Sequence, residues 1–340
     1  MRVFFGGLGA TEAAHDAAVG LNDVVVTDVV GFRARQRTAE AIQATEKHTR
    51  IDRLQAVAQA EVPVGRALRR SIGELDQAFV LRADGTVVLG VGSGEQACGE
   101  TGDGRMLEPE ELLYEVQRHF QPKPLQGRHL LVSAGPTFEA IDPVRGLTNL
   151  SSGKMGFAIA RAAHEAGAEV TLVAGPVALA TPRGVGRVNV KSALNMQKSL
   201  ELLVSNATVF ISAAAVADWR PAQAVEHKIK KDGSGQVPTL SFVENPDILA
   251  GIAASPRARS GELYCVGFAA ESHDLEEHAQ AKRVRKGVPL LVGNIGPATF
   301  GQDDNALLLV DDKGMSELPR ASKLVLAREL IAEISRRLPT

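Results

Sequence analysis

The stretch Gly135–Gly156, GPTFEAIDPVRGLTNLSSGKMG, decides the fold of this chain. An apolar run typical of a buried strand, residues 129–134, precedes it, and apolar residues recur after it at helical spacing through Ala166. This order predicts a strand, a long loop and the amino end of a helix. Backbone N–H groups at such an end are unpaired, and the helix dipole favours an anion there.

A phosphate is the anion that this loop predicts. Ser151, Ser152 and Gly153 allow a phosphate to approach the backbone, while Lys154 and Arg145 add positive charge. An alternative interpretation is that Ser-Ser-Gly only caps the helix, since Ser is a common capping residue. The loop is not a Walker A motif, because methionine follows its lysine, and it lacks the Gly-x-Gly-x-x-Gly dinucleotide pattern. The residues therefore predict a phosphate-binding α/β loop without identifying the substrate.

Composition favours a soluble enzyme. The 340 residues suffice for two domains of roughly 100–200 residues each, and a hydrophobic content of 44% supports a sizeable core. A net charge of −2 argues against a nucleic-acid partner. Two cysteines, Cys98 and Cys265, cannot form a disulfide framework, which favours a reducing, cytoplasmic setting. No apolar run approaches the ~18 residues of a membrane helix, so we expect no membrane partner.

The pattern along the chain predicts two regions joined by a linker. Residues 1–120 begin with a β-like run at Arg2–Phe5, contain a Gly-rich loop after residue 92 and end in a helix to about Phe120. Residues 121–127 have the proline and polar content of a linker. In residues 128–340, strands are predicted at 129–134, 169–174, 185–190, 207–215, 263–268, 289–293 and 305–310, and helices at 154–166, 192–204, 246–254, 274–286 and 320–337. The alternation predicts an α/β fold: a Rossmann-like, mostly parallel sheet with helices on both faces, preceded by a smaller, incomplete α/β region.

Small residues follow the predicted strand at 207–211. Ser212, Ala213 and Ala214 at the carboxyl end of a parallel strand leave room for a ligand, although alanines also permit close packing of a helix on the sheet. From the residues alone, Asp218 could be an ordinary helix N-cap. We expect Trp219 to be half-buried.

Basic residues occur in two places. The run at Lys228 precedes a flexible Gly- and Ser-containing loop, so it is either a solvated face or a segment that closes over a triphosphate. Lys282 and Lys286 lie four apart on one side of a predicted helix, where Arg283 and Arg285 favour a solvent-exposed basic face. Pro246 at the first turn of another helix is explained by sterics alone. No His, Cys and carboxylate spacing suggests zinc.

Residues 127–338 resemble the phosphopantothenate–cysteine ligase domain of the bacterial bifunctional coenzyme A biosynthesis flavoproteins. Seven runs carry the resemblance and occur in the order of that family: SAGPTFEAIDPVRGLTNLSSGKMGFAIA, AAAVADWRP, KIKK, ENPDIL, VGFAAES, AKRVRKG and DDNALLL. Together they are far more specific than any single run.

The resemblance implies a reaction and a set of site residues. A CTP-dependent ligase would convert 4′-phosphopantothenate to an acyl-cytidylate and then join it to cysteine, with Mg²⁺ expected and its ligands unassigned. The implied catalytic residues are Asn149, Arg145 and Lys228. The implied nucleotide-binding residues are Ser212, Ala213, Ala214, Asp218, Lys228, Pro246, Asp247, Ile248, Leu249, Phe268, Lys282 and Lys286. The resemblance also implies a homodimer or higher homo-oligomer.

The amino-terminal third departs from the family. The run GEQACGETGDGRMLEP, within the recognisable part 86–113, is similar to the last loop of an FMN-dependent decarboxylase and places Cys98 at the proton donor. Without the resemblance, Cys98 would be an ordinary thiol. Upstream of Thr86 we find neither the Pro-Ala-Met-Asn motif nor a convincing catalytic histidine motif of that family. We therefore expect ligase activity with little or no decarboxylase activity, and FMN binding stays open.

Two other classes of function fit parts of the pattern. A nicotinamide-dependent oxidoreductase would use an α/β sheet, but the long loop from Ala134 to Gly146 lacks the tight glycine fingerprint. A non-catalytic nucleotide sensor would keep the phosphate loop while losing Asn149 or Lys228. Both residues are present, which favours an enzyme.

Overall fold

The computed structural model describes residues 2–5, 25–27, 87–89, 92–95, 101–105, 107–230, 238–271, 274–295 and 301–339. The chain divides into two compact units, Met1–Gln121 and Pro122–Thr340.

The first unit contains a small parallel sheet, an antiparallel strand pair and a helix. The sheet has the order β2-β1-β3, with β1 at Arg2–Phe5, β2 at Val25–Thr27 and β3 at Val87–Leu89. The pair consists of β4 (Gly92–Glu95) and β5 (Thr101–Arg105), and helix α1 spans Pro109–Phe120. Helix α1 begins with proline at its first turn and a reciprocal capping box between Glu108 and Glu111, as its sequence favours. Cys98 lies outside the described residues, so its role stays a prediction.

An eight-stranded sheet forms the centre of the second unit. Its order is β10-β9-β6-β11-β14-β15-β16-β17, with every pair from β10 to β15 parallel and β16 and β17 antiparallel to their neighbours. The strands are β6 (His129–Ala134), β9 (Glu169–Ala174), β10 (Gly186–Asn189), β11 (Val209–Ser212), β14 (Tyr264–Glu271), β15 (Leu290–Ile295), β16 (Asp304–Val310) and β17 (Met315–Ser322). All seven strands predicted for this region are present.

The six parallel strands have the order 3-2-1-4-5-6 of a doubly wound Rossmann sheet. The chain runs from β6 outward to β9 and β10, then returns to build β11, β14 and β15 on the other side of β6. The direction of winding therefore reverses between β6 and β11. In open α/β sheets, ligands bind at the carboxyl ends of the strands at such a switch point.

Helices cover both faces of the sheet, as predicted. The helices are α2 (Lys154–Glu165), α3 (Ala193–Leu203), α4 (Ile248–Ala253), α5 (Pro256–Arg259), α6 (Leu275–Lys286) and α7 (Lys323–Arg337). Alternate residues of β6 point to opposite faces of the sheet: Leu130 and Val132 pack in the core under α2 and α7, whereas Leu131 packs in the core under α3, α4 and α6. Central strands buried on both faces explain the continuous apolar runs.

Several elements differ from the sequence-based expectation. Strand β17 was not predicted, because most of its side chains are exposed and carry no apolar alternation. Two short hairpins project beyond the sheet: one joins β7 (Phe138–Ala140) to β8 (Gly146–Thr148), and the other pairs β12 (Trp219–Pro221) with β13 (Phe242–Glu244). The first hairpin occupies the segment expected to be a plain loop. Among the described residues, no helix is long and apolar enough to cross a membrane.

Candidate functional site

The loops that follow β6 and β11 are joined by backbone hydrogen bonds at the switch point. Ala213 N–H donates to Ser133 O at 3.1 Å, and Ala215 N–H donates to Gly135 O at 2.9 Å. In the opposite direction, Thr137 N–H donates a hydrogen bond to Ala215 O at 3.2 Å. These bonds extend the pairing of the two strands past their carboxyl ends, so the two loops predicted to bind ligands are adjacent.

The phosphate loop ends in a left-handed glycine at the start of α2. Gly153 has φ 76°, a left-handed conformation that favours glycine, and a Cβ there would lie in tight contact with Val177 Cγ1 at 3.1 Å. Ser151 Oγ accepts from Gly153 N–H at 3.3 Å, and Ser152 Oγ accepts from Lys154 N–H at 3.5 Å. The serines therefore contact the backbone at the helix start, and first-turn N–H groups of α2 are the groups available to an anion.

The ammonium group of Lys154 is paired with another loop. Its Nζ donates to Asp303 Oδ1 at 2.7 Å and to Gly301 O at 3.0 Å. The hydrogen bond from Lys154 lowers the pKa of Asp303, so the carboxylate is ionised and offsets the lysine charge. The contribution of Lys154 to a phosphate site stays a prediction.

Asn149 lies at the junction of the two loops. Its Nδ2 donates to Ala215 O at 2.8 Å, while the residue remains exposed. The neighbouring Thr148 Oγ1 donates to Thr137 O at 2.8 Å and holds the end of β8 against the first loop. The structure thus brings Asn149 next to the loop that carries Ser212, Ala213 and Ala214, all half-buried.

Asn245, which the sequence analysis missed, joins the second loop to the start of α4. Its backbone N–H donates to Asp218 O at 2.8 Å, and its Nδ2 donates to Ala217 O at 2.8 Å. Asp218 is therefore held beside Pro246, and it precedes a strand, which excludes the N-cap alternative. The expectation that Trp219 is half-buried is wrong, since 58% of the residue is exposed.

Helix α4 begins at Ile248, two residues later than expected. Asp247 is the N-cap, with Oδ1 accepting from Ala250 N–H at 3.0 Å, so Pro246 precedes the cap instead of lying in the first turn. Ile248 and Leu249 are buried against the sheet. Of the four predicted nucleotide contacts in this turn, Pro246 and Asp247 retain accessible surface, whereas Ile248 and Leu249 pack the helix against the sheet.

Helix α6 supplies a cation to the same turn. Lys286 Nζ forms an ion pair with Asp247 Oδ2. Partial burial raises the pKa of Asp247, but the hydrogen bonds from Lys286 and Ala250 outweigh burial, and the net pKa is lowered. Lys282, one turn earlier on α6, and Phe268, on β14, are both half-buried. The structure therefore places Lys286 with Asp247 and leaves the roles of Lys282 and Phe268 as predictions.

Arg145 and the segment of Lys228 are connected through a carboxylate that the sequence analysis did not select. Asp142 Oδ2 accepts from Arg145 Nε at 2.9 Å and from Ile229 N–H at 3.2 Å. Hydrogen bonding from Arg145 keeps the pKa of Asp142 far below its usual value. Lys228 itself is exposed. The dipeptide Asp142-Pro143 is a turn-initiating pair, and this was the signal that could have indicated Asp142.

The arrangement suits a ligand that carries several phosphates. It combines a helix amino terminus, an exposed amide at the loop junction and cationic side chains on four separate segments. Within the described residues, no group of three or more His, Cys, Asp or Glu could hold a metal ion. The fold and the site together define a doubly wound α/β protein with a candidate anion site at its switch point.

Comparison with known proteins places the chain within one family. Residues 125–338 match the family described as the DNA/pantothenate metabolism flavoprotein C-terminal domain, and the chain belongs to that family. The matched segment contains the whole eight-stranded sheet and the site.

Several similar proteins share one name. The chain is 45% identical over 268 residues to the "Coenzyme A biosynthesis bifunctional protein CoaBC" of Vibrio vulnificus strain CMCP6. This match covers 78% of this chain and 66% of that protein. The Escherichia coli K12 protein of that name is 45% identical over 260 residues, covering 75% of this chain and 63% of the relative. The chain thus spans just under two thirds of the length of these relatives. A crystal structure of the C-terminal domain of a CoaBC protein is 36% identical, with TM-score 0.54, and covers 63% of this chain and 97% of that domain.

Proposed function

We propose that this chain is a phosphopantothenate–cysteine ligase that uses CTP. The observation that carries the proposal is the junction at Asn149, where the phosphate loop and the loop after β11 are hydrogen-bonded to each other at the switch point. Membership of the flavoprotein C-terminal domain family and the resemblance of residues 127–338 to the ligase domain support this substrate assignment.

The first half-reaction activates a carboxylate. A carboxylate oxygen of 4′-phosphopantothenate attacks the α-phosphate of CTP, a new P–O bond forms, and the bond to pyrophosphate breaks. In this proposal the nucleotide lies along Ser212–Ala214, Asp218 and the start of α4, and Lys228 with α6 faces the departing phosphates. Positive charge there stabilises the negative charge that develops on pyrophosphate.

The second half-reaction forms the amide. The amine of cysteine attacks the acyl carbon of the acyl-cytidylate and expels CMP, which is a far better leaving group than hydroxide. Asn149 can donate one N–H to Ala215 O and still offer a second N–H and its oxygen to the intermediate. Arg145 pairs with the remaining phosphate or carbonyl oxygen, since a guanidinium suits an intermediate that retains one phosphate charge.

Mg²⁺ is proposed to enter with the triphosphate. Magnesium bound to nucleotide commonly takes one or two carboxylate ligands from the protein and completes its coordination with phosphate oxygens and water. When bound, the ion neutralises phosphate charge.

Decarboxylation is a separate prediction for the first unit. We propose that residues 1–120 derive from a flavoprotein decarboxylase, with Cys98 as proton donor only if that activity survives. The visible absorption spectrum of the purified protein tests FMN binding directly, because bound flavin is coloured and the polypeptide is not.

A nicotinamide-dependent oxidoreductase is the second candidate, because the 3-2-1-4-5-6 strand order is the one that binds dinucleotides. Ligand-dependent melting separates the two. A ligand present at about 100 times its Kd stabilises the folded state by about 2.7 kcal/mol. We expect CTP to raise the melting temperature and NADPH to leave it unchanged; the reverse result would favour the oxidoreductase.

We also propose that the second unit forms a homodimer through its projecting hairpins. The hairpins and adjacent loops expose a group of large apolar side chains, and such groups on a protein surface often mark an interface. Its members are Val144, Leu147, Leu150, Trp219, Val225, Phe242 and Val243. Leu150, which is 86% exposed, is the best site for a test: Leu150→Asp should yield monomers in light scattering, whereas Leu202→Asp on α3 should not.

A further inference from the structure

Asp142 is a buried carboxylate in the turn between β7 and β8. Its residue is 2% exposed and its side chain is fully covered. Oδ1 accepts from Val144 N–H and Arg145 N–H, each at 2.8 Å, and these two bonds shape the turn. A neutral side chain with one oxygen would suffice for that purpose, as Asn does in many turns.

The second oxygen of Asp142 has partners that the turn does not need. Oδ2 accepts from Arg145 Nε at 2.9 Å, from Arg145 Nη2 at 2.5 Å and from Ile229 N–H at 3.2 Å. Ile229 is 87 residues away in sequence. The carboxylate therefore orients a guanidinium and anchors a distant segment at the same time.

Ile229 is held at both of its backbone groups. While its N–H donates to Asp142, its carbonyl oxygen accepts from Arg145 Nη2 at 2.8 Å. Four residues earlier, Val225 N–H donates to Ile141 O at 3.1 Å. Because the anchored residue adjoins Lys228, the turn fixes the backbone that carries this lysine.

We propose that Asp142 is a positioning residue that aligns Arg145 with the Lys228 segment, so that the two cations act on neighbouring phosphates of one bound nucleotide. The catalytic part of this inference, the joint action of Arg145 and Lys228, rests on the proposed ligase function. Its structural part, the coupling of the turn to residues 225–229, stands independently of any substrate. A charged, desolvated group is costly to bury unless it is fully paired, and here every oxygen has donors.

Asp142→Asn tests the proposal with little change in shape. The amide keeps one oxygen for the turn but turns an NH₂ group toward the donors of Arg145 and Ile229, so both contacts are lost. Asp311→Asn is the matched control. Asp311 Oδ1 likewise accepts from a turn N–H, that of Lys313 at 2.8 Å, and its Oδ2 accepts from Arg337 at 3.0 Å, outside the proposed site.

The first measurement is hydrogen–deuterium exchange on the full chain without ligand. We expect Asp142→Asn to speed exchange in residues 225–230 at least fivefold and Asp311→Asn to leave that segment unchanged. Unchanged exchange in Asp142→Asn would overturn the proposal, whether or not the protein proves to be a ligase. Wild-type protein without ligase turnover would refute the proposed function alone, and the exchange result would still decide the coupling.

The second measurement is steady-state kinetics of amide formation. We expect Asp142→Asn to lower kcat at least tenfold while the KM for CTP changes less than threefold, and Asp311→Asn to change neither. Double-mutant cycles with Arg145→Ala and with Lys228→Ala should be non-additive, because each partner acts through the same carboxylate. Strict additivity in both cycles, or a wild-type kcat in Asp142→Asn, would overturn the positioning role.

Discussion

Asn149→Asp is the substitution that most sharply probes the loop junction. Asn149 Nδ2 donates to Ala215 O at 2.8 Å, and an ionised aspartate would set a carboxylate oxygen against that carbonyl oxygen. Loss of the hydrogen bond alone costs about 1 kcal/mol. Because the residue is exposed, this cost should barely alter the melting temperature, and Asn149→Ala should slow amide formation by only about fivefold.

The added charge has the larger effect. A carboxylate about 4 Å from the phosphate of the acyl-cytidylate repels it by about 4 kcal/mol at an effective dielectric constant of about 20. Since each 1.36 kcal/mol is a factor of ten, the two terms, about 5 kcal/mol together, predict a loss of nearly four orders of magnitude in amide formation. The difference between Asn149→Asp and Asn149→Ala thus reports how near the phosphate lies to this side chain.

Rapid-quench measurements separate the two half-reactions. With CTP and phosphopantothenate but no cysteine, Asn149→Asp should still release pyrophosphate in the first turnover. On addition of cysteine, the acyl-cytidylate should persist and little amide should form. Asn206→Asp, which makes the same chemical change on an exposed residue at the amino end of the sheet, is the control and should behave as wild type. A wild-type rate of amide formation in Asn149→Asp would remove Asn149 from the site.

Two further predictions concern stability and reactivity. Glu165 is 1% exposed and is paired with Arg161 of α2 and Arg328 of α7. Burial raises the pKa of Glu165, but the hydrogen bonds from the two arginines outweigh burial, and the net pKa is lowered. The ionised carboxylate therefore stabilises the fold above pH ~4.5, and this stabilisation is lost on acidification. Arg328→Met should therefore lower the free energy of unfolding in urea by about 3 kcal/mol at pH 7 and by clearly less near pH 4; equal losses at both values would contradict this explanation. Burial raises the pKa of Cys265 to about 12, so its thiol should be unreactive in the native protein. In a Cys98→Ser background, a thiol reagent at pH 8 should label no cysteine in the native protein and one cysteine in denaturant. Rapid labelling of the native protein would show that Cys265 is accessible.

Local patterns of sequence predicted the frame of the fold. The apolar run of β6 and the helical spacing after Lys154 determine their own conformation, so both elements were predicted from one short segment. Strand β17 escaped prediction, because an exposed strand at the sheet edge needs no apolar alternation.

Contacts between distant residues account for what the sequence did not reveal. Asp142 meets Ile229 across 87 positions, and Lys154 meets Asp303 across 149. Nothing near these residues in sequence identifies their partners. Asn245 was likewise inconspicuous, since its role depends on the loop at Ala217 lying beside it in the folded chain.

Product analysis with purified full-length chain tests the central claim most directly. The protein is incubated with 4′-phosphopantothenate, cysteine, Mg²⁺ and either CTP or ATP, and products are identified by mass spectrometry. We predict 4′-phosphopantothenoyl-cysteine, CMP and pyrophosphate in equal amounts with CTP, and no pyrophosphate when phosphopantothenate is omitted. Equal or faster turnover with ATP, or pyrophosphate release that does not require phosphopantothenate, would contradict the account.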